Sequence, residues 1–104
     1  MDLHRRAELR SLAYHRAIAS RLASDPRILD RARERVTDWL RTGSTHPHWA
    51  TLWSDVLARP LAQISAALVD EAETMTAARQ SSPFAGALTP HERWSLWRTA
   101  GADP

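Results

Sequence analysis

The chain has no cysteine, no lysine, only three glycines, and no apolar run approaching the length of a membrane span. Without cysteine there is no disulfide framework, no thiolate zinc site and no thiol nucleophile, and the predicted compartment is the cytoplasm. Glycines at 43, 86 and 101 alone cannot build a phosphate-cradling loop, which argues against nucleotide binding of that kind. The longest amphipathic segments fall short of the roughly 18 apolar residues that a spanning helix needs, so the sequence predicts neither a membrane-embedded nor a secreted protein. His46-Pro47-His48 is a histidine pair without a third ligand, and no serine sits in a nucleophile-elbow spacing. No catalytic residue, metal or cofactor is therefore assigned.

The missing lysine means that all 14 basic residues are arginine. Guanidinium groups bind carboxylate or phosphate bidentately and stack on aromatic rings, which suits an interface. They are unevenly placed. Residues 1–41 carry ten Arg against six acids and residues 42–104 carry four against six, so a net +4 faces a net −2. The total of +2 is too small for an obligate nucleic-acid binder, yet the basic first half could steer an acidic partner.

At 104 residues the chain suits one domain, and its apolar spacing is helical throughout. The pattern predicts an all-α, compact bundle of five to six short helices forming a single helical domain over 1–104. The first helix covers about 3–23, with Leu12, Ala19, Leu22 and Ala23 on one face and His15 inside that stripe. Asp25-Pro26 opens a second at about 26–41, carrying Leu29, Ala32, Val36, Trp39 and Leu40, and Gly43 ends it as a left-handed cap. His46-Pro47 opens a third at about 47–58 with Trp49, Leu52, Trp53, Val56 and Leu57 inward. A fourth follows Pro60 to about 69, with Leu61, Ile64, Ala67 and Leu68 inward. A fifth covers about 71–80 if Asp70 acts as its cap. The last, about 90–99, starts with Thr89, Pro90 and Glu92 in a capping-box arrangement and is followed by Gly101.

Residues 81–98 carry the main functional expectation. Phe84 and Leu88 lie in an irregular stretch beside small residues and must bury against either this chain or a partner. Trp39, Trp49 and Trp53 fall in core registers. Trp94 and Trp97, flanked by Arg93 and Arg98, either anchor a partner or dock the last helix on its own bundle. The expected partner-binding set is Phe84, Leu88, Arg93, Trp94, Trp97 and Arg98. Arg10 and Arg16, with Arg5 and Arg6, form a second candidate surface on the first helix.

Two other readings stand beside this one. Arg10-Ser-Leu-Ala-Tyr-His15 resembles the Arg-x4-His signature of HEPN ribonucleases, as does Arg41 to His46; on that resemblance Arg10 and His15 would act on RNA. Without it, His15 is a partly buried histidine bonded within the bundle, to Glu8 or a backbone carbonyl. The second and third helices could instead form a helix-turn-helix in a weak DNA-binding regulator, although His48, Thr51, Ser54 and Asp55 are poor base readers. The segments Arg10–Arg16, Ser82–Leu88 and Arg93–Arg98 together resemble a group of small helical antitoxin-like proteins of high-GC bacteria. That resemblance implies a cofactor-free antitoxin that neutralises a cognate toxin enzyme by direct contact, with a nucleotidyltransferase-like toxin as the associated partner. Nucleic acid is not an expected partner on either ground.

Overall fold

The computed structural model describes residues 2–100. They form six α-helices: α1 (Leu3–Ala19), α2 (Arg27–Thr42), α3 (Pro47–Leu57), α4 (Leu61–Leu68), α5 (Glu73–Ala78) and α6 (Pro90–Thr99), with one 3-10 turn at Arg79–Ser81 between α5 and α6. There is no strand among the described residues, and the all-α bundle expected from helical periodicity is what the chain builds. Among the described residues, no helix is long and apolar enough to cross a membrane.

Local chemistry sets most of the helix ends. Asp2 Oδ1 accepts from Arg5 N–H at 2.7 Å and caps α1. Gly43 closes α2 at φ 72°, in the left-handed region, and its N–H bonds to the carbonyl of Trp39. His46 caps α3 through Nδ1, which accepts from His48 N–H at 3.1 Å, so this half of the histidine pair has a structural role. Thr89 and Glu92 make both bonds of the capping box that starts α6. Gly101, expected after the end of α6, lies outside the described residues.

Some boundaries differ from the pattern. α1 stops at Ala19, because Arg21 N–H turns back to Ile18 and Ser20 Oγ donates to the carbonyl of Ala17, tightening the chain into turns. Ala23 is exposed as a result, whereas Leu22 still reaches the core. Asp70 spends its carboxylate on Ala72 N–H at 2.8 Å, delaying α5 to Glu73. Leu40 and Leu61 share apolar faces in the sequence yet are exposed. The fully buried residues of α2 stop at Val36; in its last turn Trp39 packs half-buried against the core while Leu40 faces outward.

The core is centred on Trp53 and gathers Ile18, Leu22, Leu29, Val36, Ile64 and Leu68 from α1, α2, α3, α4 and the turn after α1. α2 pairs with α3, and α1 packs on both α4 and α6. Trp53 is fully enclosed, and its indole N–H donates to the carbonyl of Ala78 at 3.1 Å, which satisfies the ring's one polar group. Trp39 and Trp49 are half-buried against this core.

Phe84 and Leu88 require a correction. Both were expected to serve as partner anchors, but Phe84 is 1% exposed and Leu88 is buried with it in this chain's own core. The Phe84 ring meets Trp53 edge-on at 6.0 Å. Such a buried ring holds the irregular segment down and is unavailable to a second molecule.

Candidate functional site

Four long-range hydrogen bonds explain how an irregular apolar segment keeps one conformation. Tyr14 on α1 donates its hydroxyl to the carbonyl of Phe84 at 2.7 Å. Arg35 on α2 donates to the carbonyls of Pro83 and Ala85, at 3.1 and 2.7 Å. Ser82 donates to His15 at 2.7 Å, and its oxygen accepts from Phe84 N–H at 3.1 Å. Residues 82–85 are thereby pinned to α1 and α2 and become the wall of a groove.

His15 sits at the floor of that groove and is 2% exposed. Its Nδ1–H donates to the carbonyl of Ser11 at 2.7 Å, leaving Nε2 to accept from Ser82. Burial, with the nearby Arg79 charge, outweighs the Ser11 bond and lowers its pKa from the ordinary 6.5 to about 4, so the ring is neutral at pH 7. The partner is a backbone carbonyl, as one of the sequence readings had it; Glu8 instead pairs with His4 and Arg5. The Ser82–His15 contact has the length of a nucleophile–base pair. Its base is nevertheless weak, no carboxylate stands behind the imidazole, and the serine oxygen already accepts a backbone bond. That geometry suits a lock between α1 and residues 82–84.

Arginine lines the groove. The groove encloses about 450 Å³ between α1, the 79–85 segment and α6, and among the described residues its wall includes Arg6, Arg10, Arg79 and Arg93 but no Asp or Glu. Arg79 is buried, and donates to the carbonyls of Leu68 and Asp70 and to the hydroxyl of Thr76. Burial pulls its pKa below the usual arginine range, opposed by Asp70 and Glu71. Leu68 ends α4, so Arg79 caps a helix that has no basic residue in its last turn. Arg33 does the same for α3, donating twice to the carbonyl of Leu57.

Arg10 and Arg93 are arranged differently. Their guanidinium carbons lie 5.8 and 5.3 Å from the centroid of the Trp97 ring. Neither forms an ion pair among the described residues, and Arg10 Nε is buried without an acceptor. Leu3, 79% exposed, stands at the rim.

α6 completes the site while burying none of its own residues. It is held by Leu96 against the core, by the Trp97 stack, and by an ion pair from Arg21 to Glu92. That pair, with the Thr89 bonds, lowers the Glu92 pKa to about 2. Trp94 is 60% exposed and Arg98 is exposed, both outside the groove.

The structure thus brings together Arg10, Arg93 and Trp97, which the sequence placed on two separate surfaces. Arg16 points elsewhere, 3.8 Å from Glu71. Tyr14, Arg79 and Ser82 were missed as site residues, because their positions matter only through contacts far away in sequence. Compared with protein-family models, with curated proteins and with solved structures, the chain matches none of them.

Proposed function

We propose that this protein acts by binding another protein through the outer face of α6 and the adjoining rim of α1, without chemistry of its own. The observation that carries the reading is Trp94. A tryptophan 60% exposed on a helix with no buried residue is a large apolar surface left in water, next to Arg93 and Arg98, neither of which forms an ion pair among the described residues. Tryptophan and arginine are the residue types that most often dominate binding energy at protein interfaces. The guanidinium groups suit an acidic partner surface.

In its most specific form, following the antitoxin-like resemblance, the partner is a toxin enzyme, with a nucleotidyltransferase-like enzyme the first candidate. The ribonuclease alternative would need His15 at the scissile phosphate. Its burial and its two hydrogen bonds weigh against that role. The test is production of the chain alone, then with the neighbouring gene of its native operon. Harmless expression, a stoichiometric complex and rescue from a toxic neighbour are expected. Toxicity of the chain alone, with purified material that cleaves RNA and loses that cleavage in His15→Ala, would overturn the reading.

A further inference from the structure

We infer that the groove between α1, residues 79–85 and α6 binds a small organic phosphate, a phosphate monoester carrying an apolar group. This inference does not need the protein-binding reading to hold: Trp94, which carries that reading, lies outside the groove with Arg98, and Arg93 alone is common to both.

The argument begins with charge. Among the described residues, the lining holds the guanidinium groups of Arg10, Arg79 and Arg93 and no carboxylate. Arg79 is fixed by carbonyls and stays in place as a buried cation behind the floor. Arg10 and Arg93 both lie against the Trp97 ring, so two like charges are gathered at one indole. Arg10 also holds a buried Nε donor with nothing to donate to. A buried donor without an acceptor is costly, and an acceptor supplied by a ligand removes that cost.

The ligand's chemistry follows. A carboxylate brings one negative charge, whereas a phosphate monoester brings nearly two and three acceptor oxygens. The latter better matches the guanidinium groups of Arg10 and Arg93, which form no ion pair among the described residues and can each bind bidentately. The groove's volume of about 450 Å³ exceeds what a bare phosphate fills and lies within the usual range for small-molecule sites. Leu3, Ala7, Tyr14 and Trp97 supply an apolar wall for the rest of the molecule.

The experiment follows the Arg Nε and Trp indole N–H signals by NMR while phenyl phosphate, adenosine 5′-monophosphate, inorganic phosphate and benzoate are titrated separately. Shifts at Arg10 Nε and the Trp97 indole are expected with one or both phosphate monoesters, at a Kd about tenfold or more below those of inorganic phosphate and benzoate. Tighter binding of the nucleotide would assign the ligand to nucleotides; tighter binding of phenyl phosphate would assign it to aryl phosphates. Arg10→Ala and, separately, Arg93→Gln should each raise that Kd about tenfold or more, while Arg59→Gln, outside the groove, should leave it unchanged. No shift at Arg10 up to about 10 mM, benzoate binding as tightly as the monoesters, or unaltered affinity in both groove variants would overturn the proposal.

Discussion

At the scale of single residues, the chain's arginines and its one buried histidine do work that their sequence neighbours do not announce. Arg33, Arg35 and Arg79 each donate to backbone carbonyls at helix ends or in the 83–85 segment, so part of the basic character serves to satisfy the backbone. His15 gives this scale its sharpest prediction. Its folded pKa of about 4 lies below the ordinary 6.5, so between those values the unfolded chain takes up a proton that the folded chain refuses. The stability this residue contributes is complete above pH 6.5 and is lost as pH falls towards about 4, a total of about 3 kcal/mol. Urea unfolding of the wild type and of His15→Gln, compared at pH 7.5, 5.5 and 4, checks it. The difference between the two proteins should shrink steadily towards acid; a difference independent of pH would mean that His15 is not buried in its neutral form.

Helix limits set by cap residues at familiar spacings were legible in the sequence, and those set by side chains that turn back onto nearby backbone were not. The start of α3 at Pro47, the Gly43 cap and the Thr89-Pro90-Glu92 start of α6 came out where local chemistry placed them. The end of α1 and the extent of α5 did not, since their limits depend on side chains that bond to the backbone in turns. The site was half legible. Arg10, Arg93 and Trp97 were singled out, but their convergence depends on the Arg21–Glu92 pair holding α6 against α1, seventy-one residues apart in sequence. α6 should accordingly be the least protected helix. Thr89→Ala removes one half of its capping box and is expected to cost about 1 kcal/mol. Glu92→Gln removes the charged partner of Arg21. Because the Glu92 pKa is depressed to about 2, the contribution of the pair is present above about 4.5 and is lost as pH falls through about 2. Amide exchange is the check: both variants should speed exchange in residues 93–99 while leaving α3 protected, and equal loss of protection in both helices would show that α6 unfolds only with the whole domain.

For the molecule as a whole, the question is how surfaces are divided between holding the fold and meeting a partner. Phe84 and Trp94 lie ten residues apart in one stretch that reads as uniformly sticky, and they fall on opposite sides of that division. Phe84 fills the space beside Trp53, so Phe84→Ala should leave a cavity and cost about 3–5 kcal/mol of the roughly 5–15 that a domain of this size has. Trp94 covers little of its own chain, and Trp94→Ala should move the melting temperature by no more than a degree or two while weakening a bound protein partner by about 2 kcal/mol or more, about thirtyfold in Kd. The two variants are complementary controls when thermal melts and partner titrations are run on both below the melting temperature of Phe84→Ala. There, folded Phe84→Ala should bind its partner with near-normal affinity. A Trp94→Ala protein that melts far below wild type yet binds normally would reverse the assignment, making α6 a structural strut and moving the search for the interface to another face.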